Sequence, residues 1–117
     1  MYQRHELGKT GEMLACKYLE NKNYEILQRN FRCKQGEIDI IAKDGNELVF
    51  IEVKTRASKL FGNPAEAVNE EKKKHIYKTA GYYLHIIKNE NVYTRIDVIE
   101  VYLSKSKYYI NHIKQAI

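Results

Sequence analysis

Residues 36–56 read GEIDIIAKDGNELVFIEVKTR, and this stretch decides the fold. Two runs within it, residues 37–42 and 48–54, are rich in β-branched and aromatic side chains. Asp44, Gly45 and Asn46 lie between the runs and have the composition of a tight turn. Two strand-like runs joined by such a turn predict a β-hairpin.

The length of the turn predicts how the two arms pair. A two-residue loop at residues 45–46 pairs Asp44 with Glu47, and counting back along both arms places Asp39 opposite Glu52. A four-residue loop gives the same pairing, whereas a three-residue loop breaks it. Strict alternation puts the following residues on the face of Asp39 and Glu52: Glu37 and Ile41 from the first arm, and Leu48, Phe50, Lys54 and Arg56 from the second.

The rest of the chain predicts helices on both sides of this hairpin in sequence. Helical spacing of apolar residues extends from about residue 5 to 21, and again from about residue 65 to 88. Weaker strand patterns occupy residues 24–31, 94–103 and 108–113. The expected order is α-β-β-β-α-β with a further strand possible at the end. We therefore expect one α/β domain spanning residues 1–117, in which helices flank a mixed central sheet.

Composition favours a cytoplasmic protein with a polyanionic partner. The 117 residues are 44% hydrophobic, which is enough for one core, and Lys and Arg (20) outnumber Asp and Glu (15) to give a net charge of +5. A positive charge suits nucleic acid, because binding releases the counterions condensed on phosphates. Cys16 and Cys33 match no zinc spacing and predict reduced thiols. No apolar run resembles a signal peptide or a membrane span.

Asp39, Glu52 and Lys54 are the candidate active centre. Opposed carboxylates on one face of a hairpin have Cβ atoms about 5 Å apart, so at neutral pH they need a cation or a proton between them. Mg²⁺ suits such a pair, since it binds one or two carboxylates together with water and phosphate oxygens. Lys54 lies on the same face and could orient or deprotonate a water molecule that attacks a phosphodiester.

A structural role for the same residues stays open. The Glu-x-Lys spacing recurs at Glu20-Asn21-Lys22, Glu70-Glu71-Lys72 and Glu71-Lys72-Lys73, and cross-strand ion pairs are ordinary in sheets. The copy at Glu52 differs because Asp39 and Glu52 both interrupt apolar runs, where carboxylates rarely lie without a partner.

The whole pattern resembles a known bacterial family. Residues 36–42 and 50–56 look like the YraN family, which is similar to archaeal Holliday junction resolvases within the PD-(D/E)xK nuclease superfamily. Ile38 stands where the superfamily motif has proline, the loosest part of that motif. The likeness covers nearly the whole chain and includes four shorter motifs: Gly8-Lys9-Thr10-Gly11-Glu12, Asn30-Phe31-Arg32, Phe61-Gly62-Asn63-Pro64 and Arg95-Ile96-Asp97-Val98.

The resemblance implies a restriction-endonuclease-like core and a Mg²⁺- or Mn²⁺-dependent DNA endonuclease. Asp39 and Glu52 match its metal-binding acidic pair, Lys54 its catalytic lysine, and Glu12 the glutamate on the first helix of resolvase-like members. Branched, flapped or single-stranded DNA is the substrate that the resemblance implies, and a homodimer is compatible with it. The alternative is a non-catalytic nucleic-acid-binding or scaffolding module that keeps the nuclease fold.

Other polar and aromatic residues carry weaker expectations. Arg56, Lys72 and Lys73 are candidate phosphate contacts, with a solvated helix face as the alternative for the two lysines. The four histidines have no metal-binding spacing. The ten tyrosines could stack on unpaired bases, although their spacing favours core packing for most of them.

Overall fold

A computed structural model describes residues 4–56, 70–89 and 91–117, with side chains from Leu7 onward. The elements are α1 (Arg4–Asn21), β1 (Glu25–Cys33), β2 (Gly36–Asp44), β3 (Glu47–Arg56), α2 (Glu70–Ile87), β4 (Tyr93–Leu103) and β5 (Tyr108–Ile113). This order confirms the expected α/β architecture, including the final strand. The predicted beginning of the second helix at residue 65 and the motif at residues 61–64 lie outside the described residues.

The five strands form one mixed sheet in the order β1-β2-β3-β4-β5. Neighbouring strands are antiparallel except β3 and β4, which are parallel. A parallel pair requires a crossover connection, and α2 lies on that connection. The turn between β2 and β3 pairs Asp44 with Glu47, which confirms the register predicted from the two-residue loop.

The two helices pack on opposite faces of the sheet. Ala15 and Leu19 of α1 lie in one apolar cluster, whose sheet members include Ile40, Ala42, Val49, Ile51, Ile99 and Val101. Ile76, Ala80 and Tyr83 of α2 lie in a second cluster, whose sheet members include Phe31, Ile38, Ile41, Leu48, Phe50 and Ile96. Neither α1 nor α2 has the combination of length and apolarity that a bilayer-spanning helix needs, and no other helix lies within the described ranges.

The expected alternation of β2 is wrong at Ile38. Ile38 packs in the α2-side cluster together with Ile41, whereas Ile40 and Ala42 face α1. The neighbouring strand is distorted here: Arg29 pairs with Ile40 and Phe31 with Ile38 in one register, but Asn30 between them has a left-handed φ of 53°. This distortion lies opposite Asp39, so strict two-residue periodicity does not hold next to the candidate site.

A closed polar cluster ties β4 to β5 and to the turn between β2 and β3. The fully buried carboxylate of Asp97 accepts hydrogen bonds from Arg95 Nε at 3.0 Å and from the Gln115 amide at 3.0 Å, and it contacts His112 Nε2 at 2.7 Å. Arg95 also reaches Glu47 at 2.8 Å. Burial opposes ionisation of Asp97, but these donors outweigh it and hold its pKa below the usual range.

Core packing is confirmed for three of the described tyrosines and is wrong for five others. Tyr24 and Tyr83 are buried in the core, and Tyr18 packs against it and contacts His112 Nδ1 through its hydroxyl. Five other tyrosines are exposed at the surface: Tyr77, Tyr82, Tyr93, Tyr108 and Tyr109. Sequence spacing could not separate the two groups, because one side of α2 faces away from the sheet and β5 is an edge strand of the sheet.

Gly11 sets the closest approach of α1 to the sheet. A Cβ atom built on Gly11 would lie 2.9 Å from Cβ of Thr55 on β3 and would overlap its Oγ1 atom. Gly11→Ala should lower the free energy of unfolding by about 1–3 kcal/mol through overpacking. Thr55→Ala should restore part of that loss, which a double-mutant cycle by denaturant unfolding measures. Gly8→Ala is the control, because a Cβ there meets open space; it should raise stability by up to about 1 kcal/mol.

Candidate functional site

Asp39 and Glu52 lie side by side where β2 and β3 cease to pair. The hydrogen-bonded register extends to Ile40 opposite Ile51, and Asp39 and Glu52 are the next residues on each strand. Oδ2 of Asp39 accepts a hydrogen bond of 2.7 Å from the amide of Val53, so this side chain replaces a backbone acceptor at the end of the ladder. Both residues are only 9% exposed, and a hydrogen bond joins their carboxyl groups.

The pair can hold one negative charge but not two. Burial, the hydrogen bond with Glu52 and the charge of Glu52 raise the pKa of Asp39 well above its usual range. Burial acts on Glu52 in the same direction, but hydrogen bonds from Asp39 and Lys72 outweigh it and lower the pKa of Glu52. The carboxyl pair therefore favours one shared proton near neutral pH, with one carboxyl group donating to the other.

Two lysines complete the charge balance at Glu52. Nζ of Lys72, which α2 contributes, lies 2.9 Å from Oε2 of Glu52. Lys54 follows Glu52 on the same face of β3, where burial and the neighbouring Lys72 lower its pKa. Burial has the same effect on Lys72, but contacts with Lys54 and Glu52 outweigh it and leave its pKa raised. Lys54 is therefore the more readily deprotonated of the two.

Glu12 approaches the pair from α1. Its side chain is half-buried, and burial raises its pKa, with Glu37 and Glu52 adding to the effect while Arg29 and a hydrogen bond with Asn30 oppose it. The charge of Glu12 in turn contributes to the raised pKa of Asp39. The fold thus brings the four residues predicted for the active centre into one electrostatically coupled group.

An open cleft of about 490 Å³ gives access to this group. Its walls include Asp39, Glu52 and Lys72, and also His75 of α2, which sequence reasoning passed over because no second histidine lies at ligand spacing. Nδ1 of His75 lies 2.9 Å from the carbonyl oxygen of Gln35. Because a carbonyl only accepts, Nδ1 carries the proton, and Nε2 is the ring atom left to contact a ligand.

The other predicted phosphate contacts are less directly placed. Arg56 shares the face of Lys54 but is only 9% exposed, so most of its side chain lies within the fold. Nζ of Lys73 lies 3.3 Å from Glu70 on the same helix rather than against the carboxyl pair. Of the three residues, Lys72 is the one that lines the cleft.

Comparison with known proteins assigns the chain to a family. Residues 11–101 match the model of "Uncharacterised protein family UPF0102". The chain belongs to the UPF0102 family. It is 50% identical over 101 residues to a UPF0102 protein of Caldicellulosiruptor saccharolyticus, covering 86% of each chain. It is 52% identical over 120 residues to a UPF0102 protein of Clostridium botulinum, covering 98% of this chain and 96% of the relative. UPF0102 is the YraN-like group that the sequence motifs resemble.

The carboxyl pair has the donor chemistry that suits a hard divalent cation. Carboxylate oxygens are the ligands of Mg²⁺ and Mn²⁺, whereas cysteine and histidine clusters favour zinc. Within the part of the chain that the structure describes, no three Asp, Glu, His or Cys side chains gather closely enough to enclose an ion. Asp39 and Glu52 therefore fit the two-carboxylate arrangement, in which water and substrate oxygens complete the shell of Mg²⁺.

Asp39→Asn should remove a pH dependence of stability. Between the ordinary carboxyl pKa and the raised pKa of about 9, the folded pair holds one proton more than the unfolded chain, so the unfolding free energy of the wild type falls as the pH rises through this range. Asparagine carries no such proton and can still accept from the Val53 amide. The difference between the two slopes, measured by denaturant unfolding, should approach about 1.4 kcal/mol per pH unit, the value for one proton. Parallel slopes for wild type and variant would show that the folded carboxyl pair holds no extra proton.

Proposed function

We propose that this protein is a metal-dependent DNA endonuclease that hydrolyses phosphodiester bonds in the cleft beside Asp39 and Glu52. The observation that carries the proposal is the buried carboxyl pair, whose charge is balanced by a shared proton and by the Lys72 ammonium group at the wall of an open cleft. A divalent cation is the ligand that would replace both.

A purely structural ion pair is a poorer account of these residues. In the structural cluster around Arg95, the guanidinium lies between the carboxylates of Asp97 and Glu47 and contacts both. Asp39 and Glu52 instead join their carboxyl groups directly, with the charge of Glu12 adding to the effect. Burying like charges costs stability, and such arrangements concentrate at functional sites. The cost is acceptable where the acidic groups must bind a cation during function.

Each residue around the cleft would have its own role in the proposed hydrolysis. When bound, Mg²⁺ or Mn²⁺ would lower the pKa of a water molecule and polarise the phosphoryl group. Asp39 and Glu52 would hold the ion, with Asp39 giving up its proton. Lys54, whose pKa is lowered, can orient or deprotonate the attacking water or stabilise charge on the phosphate. Glu12 would adjust the charge of the site from α1.

Charge and family resemblance support DNA as the substrate. The net charge of +5 favours a polyanion, and Lys72 lies where it can turn from Glu52 to a phosphate oxygen. The resemblance to Holliday junction resolvases supports branched, flapped or single-stranded DNA.

A non-catalytic nucleic-acid-binding module is the second candidate. It is favoured by the small ligand set, because only two carboxyl groups converge closely within the described residues. Such a module would bind DNA without any requirement for a divalent cation.

Lys72→Met should strengthen the binding of divalent cations in the absence of DNA. The Lys72 ammonium group pairs with the Glu52 carboxylate and so competes with a metal ion for it. Removal of this ammonium group should lower the Kd for Mn²⁺ about three- to tenfold. Lys73→Met is the matched control, since Lys73 pairs with Glu70 and should leave the Kd unchanged. Titration calorimetry measures both. Equal Kd values for Lys72→Met and wild type would place the ion elsewhere.

Asp39→Asn, Glu52→Gln and Lys54→Met should each lower Mg²⁺-dependent cleavage at least about a hundredfold, because each removes a group that acts on the metal, the water or the phosphate. The assay is a panel of labelled duplex, flapped, branched and single-stranded DNA with Mg²⁺ or Mn²⁺. Lys78→Met, an exposed cation of α2, is the control for lost surface charge. Cleavage by all three variants at the wild-type rate would remove the proposal, and metal-independent binding without cleavage would support the second candidate.

A further inference from the structure

An aromatic pair with one half-buried and one exposed ring lies on the same face of the sheet as the cleft. The rings of Tyr102 on β4 and Tyr109 on β5 have centroids 5.6 Å apart and an interplanar angle of 38°. Tyr109 is 61% exposed although it belongs to a regular strand. A large aromatic side chain left open in this way has its ring face available to a ligand.

The strand register connects this pair to the candidate active centre. Lys54 pairs with Glu100 and Arg56 with Tyr102 in the parallel ladder of β3 and β4, and Tyr102 pairs with Tyr109 across β4 and β5. Four residues of strand separate Glu52 from the level of Tyr102, which is roughly 13 Å, and two strand spacings add about 10 Å sideways. A nucleic acid strand could therefore extend from the cleft to the aromatic pair over several nucleotides.

Positive charge borders the aromatic pair. Lys105 and Lys107 are exposed in the turn between β4 and β5, which a hydrogen bond of 2.9 Å from the Ser104 amide to the Lys107 carbonyl closes. Lys54 lies on the other side, toward the cleft. The intervening carboxylate of Glu100 accepts a hydrogen bond of 2.8 Å from Asn111. Cations flanking exposed rings are the arrangement that binds a phosphate backbone while bases stack.

We propose that Tyr102 and Tyr109 form a stacking platform for unpaired nucleotides that lead into the cleft. The inference rests on the proposed function for the class of its ligand, and it narrows that class to DNA with a single-stranded segment next to the cleaved bond. Bases in a duplex have their faces covered by neighbouring bases, so only an unpaired strand can offer a free face to Tyr109. Stacking is insensitive to base identity, so the platform selects structure rather than sequence.

The test measures binding with a chelator present, so that it does not depend on cleavage. Fluorescence anisotropy gives the Kd for a single-stranded oligonucleotide and for the matching duplex, and a 2-aminopurine base in the single strand reports stacking. Tyr109→Ala should raise the single-strand Kd about tenfold and abolish the 2-aminopurine response. Tyr109→Phe, which keeps the ring, should retain both, and the duplex Kd should not change.

Tyr108→Ala is the matched control. Tyr108 is the neighbouring residue on the same strand and is 50% exposed, but it pairs with Leu103 and lies on the α1 side of the sheet. The Tyr108→Ala variant should bind the single strand with the wild-type Kd. Thermal unfolding of each variant confirms that the fold is retained.

The outcomes separate this inference from the endonuclease proposal. A Tyr109-specific loss of single-strand binding would support the platform even if no DNA is ever cleaved, in which case the endonuclease proposal alone would fail. Equal changes in the single-strand Kd for Tyr109→Ala and Tyr108→Ala would overturn the platform, and so would equal losses of affinity for single strand and duplex. If these variants still cleave DNA at the wild-type rate, the endonuclease proposal is unaffected. Loss of a dimer in Tyr109→Ala with unchanged single-strand binding would also overturn it, in favour of a contact between two copies of the chain.

Discussion

The strongest constraint on the candidate site is the burial of two neighbouring carboxyl groups, which opposes the ionisation of both at once. Asp39 and Glu52 meet where the hairpin ladder ends, and their surroundings exclude most of the water that would otherwise separate their charges. A proton shared by the pair and the ammonium group of Lys72 reduce the repulsion between the two carboxyl groups. The divalent cation proposed for this site would take the place of both.

The sheet contains a second buried polar cluster whose chemistry is the opposite. Asp97 lies opposite Ile51 in the parallel ladder, yet its carboxylate is surrounded by donors from Arg95, His112 and the Gln115 amide. Both carboxylate oxygens of Asp97 have partners, and the residue is fully buried. These hydrogen bonds stabilise the junction of β4, β5 and the C-terminal residues, whereas the Asp39 site borders a cleft that is open to solvent.

Because α2 covers only part of its face of the sheet, the proposed catalytic and binding residues lie on that same face. α2 packs over β1, β2 and β3 and ends its apolar contacts at Ile96, so the later half of β4 and the edge strand β5 keep an accessible surface on that side. The cleft lies at the margin of α2, where Lys72 and His75 lean over the carboxyl pair. Chemistry in the cleft and recognition along the open strands would thus belong to one continuous surface.

The sequence by itself determined what depends on local spacing. The Gly45-Asn46 turn and the arm lengths gave the register that joins Asp39 to Glu52, and apolar periodicity gave the order of helices and strands. Only the tertiary structure decided which residues from distant segments meet them: Lys72 against Glu52, and Ile38 turned toward α2. It also decided which tyrosines stay exposed. These contacts join positions far apart in the chain, where the packing angle of a helix and the distortion of a strand, rather than a repeat in the sequence, select the neighbour.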